Sequence, residues 1–77
     1  MMPVVAYILL ATETGKEYEV LNEIKGIKGI SECRLVYGEY DIFIRIEVCD
    51  LTLMDEIVTQ VRQIPGITHT TTLVGSP

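Results

Sequence analysis

"YDIFIRIEVC", residues 40–49, decides the fold, because its apolar residues recur at every second position. Ile42, Ile44, Ile46 and Val48 fall on one face; Asp41, Phe43, Arg45, Glu47 and Cys49 fall on the other. Successive side chains of a strand point to opposite sides, so Tyr40 to Cys49 reads as a strand with one face in a core and the other turned away.

Working outward, Asp50 or Thr52 caps a helix carrying Met54, Ile57, Val58, Val61 and Ile64, and Pro65-Gly66 stops it. Ile67 to Val74 is then a threonine-rich strand. Upstream, Ile30 to Tyr37 is a strand joined to the opening stretch by a two-residue hairpin at Gly38-Glu39. Such a hairpin pairs residues whose numbers sum to 77, setting Cys33 opposite Ile44 and Cys49 opposite Lys28. Thr14-Gly15-Lys16-Glu17 is a T-x-x-E capping box opening a first helix. Its inner stripe is Tyr18, Leu21 and Ile24 with Val20 beside them, and Gly26 and Gly29 end it. Val4 to Thr12 is the first strand, apolar on both faces.

A shift of 37 positions lays Val5 on Ile42, Tyr7 on Ile44, Leu9 on Ile46, Val20 on Ile57, Leu21 on Val58, Ile24 on Val61, Gly29 on Gly66 and Gly38 on Gly75. The chain thus reads as two βαβ halves in tandem. Crossovers of this kind are right-handed, so the halves interleave into a ferredoxin-like βαββαβ split sandwich of the α+β class. The expected sheet is four-stranded and antiparallel, in the order 4-1-3-2, with both helices on one face. Residues 1–77 form one domain.

The other sheet face is left bare, and whichever parity of the first strand faces out is apolar. An exposed apolar patch of several hundred Å² (order of magnitude) usually marks an interface, so a homodimer through the open sheet faces is expected. A small domain also gains most from such help.

Composition narrows the function classes. The formal charge of −5 gives no electrostatic footprint for phosphate backbones, and direct nucleic-acid binding is not expected. The apolar opening segment lacks a basic leader and is far short of the roughly 20 residues that cross a bilayer. With two cysteines and no C-x-x-C, the expectation is a cytoplasmic protein with reduced thiols, no membrane contact and no metal or other cofactor. Cys33 and Cys49 lie several residues apart along the hairpin, at about 3.3 Å per residue, too far for a disulfide. His69 is the only histidine and has no second ligand at metal-binding spacing, so it reads as a surface or interface residue. The loop after the first strand is acidic and no nucleophile has an adjacent base, so an enzyme is not expected. Thr68, Thr70 and Thr72 form a row of hydroxyls on one strand face, suited either to strand formation or to a small polar ligand.

Two segments, "RLVYGEYDIFIRIEV" (34–48) and "IPGITHTTTLV" (64–74), together resemble the effector-binding RAM domain of the Lrp/AsnC feast/famine regulators. The family pattern is G-x-Y-D, an aliphatic strand, a helix, and G-[VI]-x-x-T-x-T. Gly38, Tyr40 and Asp41, then Gly66, Ile67, Thr70 and Thr72, supply it. The resemblance implies amino-acid sensing in transcriptional or metabolic regulation. It also implies dimerisation through the sheets and assembly of dimers into a ring, here an octamer, with free amino acids bound between dimers. The family's helix-turn-helix is absent, so a stand-alone form acting through protein partners, full-length Lrp/AsnC relatives among them, is expected. Carried over by position, Gly38 lets the backbone approach the ligand, amides around Gly38, Glu39 and Tyr40 receive an α-carboxylate, and Asp41 meets the α-ammonium. Thr70 and Thr72 complete the polar wall, from this or a neighbouring subunit. Glu39 holds the family's variable position, and Tyr37 stands where many members have a small polar residue, narrowing the pocket. The alternatives are a purely structural oligomerisation domain and a small dimeric α/β-barrel enzyme, the latter opposed by aliphatic helix-facing positions.

Overall fold

The computed structural model describes residues 3–76. The elements run β1 (Val4–Thr12), α1 (Glu17–Lys25), β2 (Ile30–Leu35), β3 (Ile42–Val48), α2 (Leu51–Arg62) and β4 (Ile67–Val74). All pairings are antiparallel and the sheet order is β2-β3-β1-β4, the interleaved order expected of two βαβ halves. Among the described residues no helix is long and apolar enough to cross a membrane.

β1 and β3 form the centre, with Ile8 opposite Ile44 and Ala6 opposite Ile46. Directly paired residues share a sheet face. Ala6, Ile8 and Leu10 therefore join Ile42, Ile44 and Ile46 under the helices, all six fully buried. Val20, Leu21 and Ile24 of α1 and Met54, Ile57 and Val61 of α2 complete the core. Burying each of these side chains is worth about 1.5–3 kcal/mol, so this shared layer, more than helix propensity, holds the two halves together. Val5, Tyr7, Leu9 and Phe43 lie half-buried on the face without helices, and Tyr7 and Phe43 stack there with ring centroids 6.0 Å apart.

The structure keeps some local expectations and corrects others. Asp50 does cap α2, its carboxylate accepting from Leu53 N at 2.8 Å. Thr14, in contrast, does not cap α1; the helix begins at Glu17, with no side-chain cap. The cause is the preceding strand: Glu13 N donates to Gly66 O at 2.8 Å, so the chain stays at the sheet end and turns once, through Lys16 N to Glu13 O, before the helix starts. Glu17 reaches back instead to Gly15 N at 3.0 Å, one residue past the Thr14 N that a capping box would use. Tyr18 leaves the inner stripe and is 69% exposed.

β2 and β3 are shorter than expected at the hairpin, ending at Leu35 and beginning at Ile42. The connection is not a two-residue turn: Val36 N donates to Asp41 O at 2.9 Å and the four residues Tyr37–Tyr40 loop beyond that pair. The register survives, because one residue added on each side leaves the pairing sum unchanged; Cys33 lies opposite Ile44 and Leu35 opposite Ile42. An irregularity between Ile30 and Glu32 ends that register, and Ile30 pairs with Ile46, so Cys49 does not reach Lys28. Both thiols are free; Cys33 packs against the core and Cys49 is exposed.

Candidate functional site

The loop from Val36 to Asp41 carries the residues that the sequence points to. Gly38 has φ +119°, and a Cβ there would meet nothing within 4 Å. Its backbone is therefore open to a ligand in a conformation that other residues adopt only with strain. Gly38 and Glu39 are exposed at the tip, and Tyr37 beside them is fully exposed. Tyr37 thus stands at the mouth of the loop without filling it.

Asp41 is where the loop rejoins the sheet. Its backbone N donates to Leu10 O at 2.7 Å. Its Oδ2 accepts from Thr12 N at 2.8 Å and from Thr12 Oγ1 at 3.3 Å. One carboxylate oxygen thus ties the hairpin to the end of β1. A charge-assisted bond to a backbone N–H is among the stronger local ties available. Asp41 also lines a pocket of about 270 Å³ with Glu17, Tyr18, Leu35, Val36 and Tyr37. The lining thus combines the apolar Leu35 and Val36 with two tyrosines and two carboxylates, Asp41 from the hairpin and Glu17 from α1.

Tyr40 makes the opposite tie. Its Oη shares a hydrogen bond with Thr71 Oγ1 at 2.8 Å, and its ring stacks on His69 at a centroid distance of 6.3 Å. Thr71 pairs with Leu9 and His69 with Ala11, so this contact lies on the face without helices. Thr70 and Thr72 pair with Leu10 and Ile8 and belong to the helix side of β4. Within one chain, then, Gly38, Glu39, Tyr40 and Asp41 share a loop, while Thr70 and Thr72 point to the sheet face opposite Tyr40's contact. Sequence reasoning missed Thr71, Thr12, Glu17 and Tyr18. The period-two parity of β4 against β1 would have found Thr71, once Ala6, Ile8 and Leu10 were set inward. Nothing local in the sequence marks Thr12.

The face without helices is divided electrically. Around β1 and β4 it presents Val5, Tyr7, Leu9 and the 53%-exposed Leu73. Toward β2 it carries Arg45, bonded to Glu47 Oε1 and Ser31 Oγ at 2.9 and 2.8 Å, and the neighbouring Arg34–Glu32 pair. The Glu47 hydrogen bond pushes the Arg45 guanidinium further above its ordinary value, and Glu32 does the same for Arg34. Exposed pairs of this kind add little stability; they balance charge at the margin of an apolar area. Among the described residues, no three His, Cys, Asp or Glu side chains gather to hold a metal.

A model of the Lrp/AsnC ligand binding domain matches residues 5–75. The crystal structure of FFRP-DM1 is 35% identical, superposes with a TM-score of 0.88, and the match covers 95% of this chain and 99% of that one. The hypothetical protein PHS023 from Pyrococcus horikoshii is also 35% identical, with a TM-score of 0.87 over 96% of this chain and 90% of its own. The transcriptional regulator NMB0573 from Neisseria meningitidis, crystallised as an L-Met complex, is 13% identical and shares the fold, with a TM-score of 0.81 over 96% of this chain and 50% of its own. No curated protein sequence matches the chain.

Proposed function

Because the chain belongs to the Lrp/AsnC ligand-binding domain family, we propose that it is an amino-acid-sensing and assembly domain that binds a free amino acid at the Gly38–Asp41 hairpin. The observation that carries this reading is the Asp41 pocket. The pocket sets a carboxylate beside the apolar side chains of Leu35 and Val36, and the open positive-φ backbone of Gly38 follows directly after its lining residue Tyr37. These are the complements of an α-ammonium, an α-carboxylate and a side chain. The L-Met complex of NMB0573 supports a ligand of this class on this fold.

Two copies pair through the sheet faces that carry Tyr7, Leu9, Phe43 and Leu73, and dimers assemble into an octameric ring. Thr70 and Thr72 reach the ligand from a neighbouring subunit in that ring. Ligand shifts the assembly by its greater affinity for the associated form, and regulation passes through protein partners, a reading favoured by the charge of −5. Catalysis is no part of this function. Titration calorimetry against the twenty amino acids tests it: heat with one or a few supports the reading, and no heat with any at millimolar concentration overturns it. Sedimentation at micromolar protein tests the pairing, which a monomer refutes.

One observation favours the purely structural rival. Asp41 Oδ2 is already occupied by Thr12, so the carboxylate has a fold-holding role without any ligand. Asp41→Asn separates the two, because the amide oxygen still accepts from Thr12 N while the negative charge is gone. A sensor loses affinity about tenfold or more with the fold intact; a structural domain has no affinity to lose.

A further inference from the structure

Tyr40 and Asp41 are consecutive, yet they tie the hairpin to opposite sides of the sheet. Asp41 lines the pocket beside α1 and holds Thr12. Tyr40 holds Thr71 and stacks on His69, on the face without helices. The loop tip before them is fastened by few groups: Gly38 has open space around it, and Gly38 and Glu39 are exposed. A displacement of Asp41 or of the amides before it therefore strains or moves Tyr40. Tyr40 in turn contacts β4 beside Leu9 and Ala11, within the surface on which a second copy would sit.

We propose that Tyr40 is a positioning strut whose hydrogen bond to Thr71 couples the hairpin pocket to the open sheet face, so that amino-acid occupancy and pairing of two copies are linked. The proposal rests on the function proposed above for the same hairpin and goes further by naming the residue that transmits it. The linkage is reciprocal: an amino acid that tightens the dimer is itself bound more tightly by the dimer. A tyrosine that merely packed against β4 would contribute stability but no linkage.

Tyr40→Phe keeps the ring on His69 and removes the hydroxyl; Thr71→Val removes the other partner, and Thr71→Ser keeps it. Two quantities are measured on wild type and variants. One is amide exchange at Gly38, Glu39 and Tyr40 without ligand. The other is the dimer dissociation constant with and without an equimolar mixture of the twenty amino acids at millimolar concentration. Loss of one such bond predicts hairpin amides that exchange roughly fivefold faster in Tyr40→Phe and Thr71→Val. The double variant should be no worse than either single one, and Thr71→Ser should behave as wild type. The change in dimer constant caused by the amino acids should shrink in the same two variants. Wild-type exchange in Tyr40→Phe, or an undiminished effect of amino acids on its dimer constant, overturns the strut. If wild type binds no amino acid, the sensing function fails on that result alone. The strut then stands or falls on exchange and on the ligand-free dimer constant, which should weaken in Tyr40→Phe.

Discussion

Aligned at a separation of 37 residues, the two βαβ halves correspond from helix to second strand. Val20 and Ile24 match Ile57 and Val61 in the core, and Gly29 and Gly66 both take positive φ, +96° and +98°. The first strands do not follow. At that separation Tyr7 lies on Ile44 and Leu9 on Ile46, yet Tyr7 and Leu9 face outward while both isoleucines are buried. Ala6, Ile8 and Leu10 are the buried counterparts of Ile42, Ile44 and Ile46, a separation of 36. An odd shift exchanges the faces of a strand, so one residue must be absorbed between strand and helix. The mismatch falls at the strand-to-helix connections, which run through Glu13–Lys16 in the first half and through Cys49 and Asp50 in the second. The halves are thus equal where they share a core and unequal at the β1–α1 turn, which sets the start of α1, and the first residues of α1 line one pocket with the Val36–Asp41 loop.

The hardest test of the shared core is its centre. Ile8 and Ile44 pair directly and are both fully buried, so Ile8→Ala and Ile44→Ala should each cost about 3–4 kcal/mol, measured by urea unfolding. Equal losses confirm that the two halves contribute alike. A loss confined to one of them breaks the equivalence.

The paired glycines give a smaller effect and a sharper comparison. Gly29→Ala and Gly66→Ala each force a side chain into positive φ, at about 1–3 kcal/mol. Their surroundings differ: a Cβ at Gly29 would overlap Ile57 Cδ1 and press on Val48, while one at Gly66 would meet Val20 Cγ2 at 3.2 Å. Gly29→Ala should therefore be the more destabilising of the two by thermal or urea unfolding. The reverse order would mean that Ile57 yields more easily than Val20.

Much of this was legible in the sequence because it rests on period. The alternation of Ile42, Ile44 and Ile46 set β3, and the tandem pattern set the strand order. The hairpin register held because symmetric lengthening of a loop preserves a pairing sum. What was not legible depended on contacts between distant segments. Thr14 looked like a cap until Gly66 O held Glu13 N and delayed the helix. Thr71 looked like one threonine in a run, and became the partner of Tyr40 through the register of β4 on β1. The candidate site was therefore legible as a loop, Gly38–Asp41, but not as the set of residues that fasten that loop.

The smallest effect separates the two helix starts. Asp50 accepts from Leu53 N at 2.8 Å in extended backbone geometry, so Asp50→Ala should cost about 1 kcal/mol. Thr14 makes no cap, since the helix it precedes starts three residues later at Glu17, and Thr14→Ala should change stability by less than about 0.5 kcal/mol. Sequence alone would assign the same loss to both, each being a short polar residue just before a helix. Chemical unfolding of the two variants side by side decides between them. A loss of about 1 kcal/mol in Thr14→Ala would mean that α1 samples a longer form with its first turn in place, shortening the β1–α1 connection towards that of β3–α2 and moving Glu17 and Tyr18 relative to Asp41. Near-zero loss fixes that turn as irregular, and leaves the pocket bordered by a helix that begins at Glu17, itself one of the lining residues.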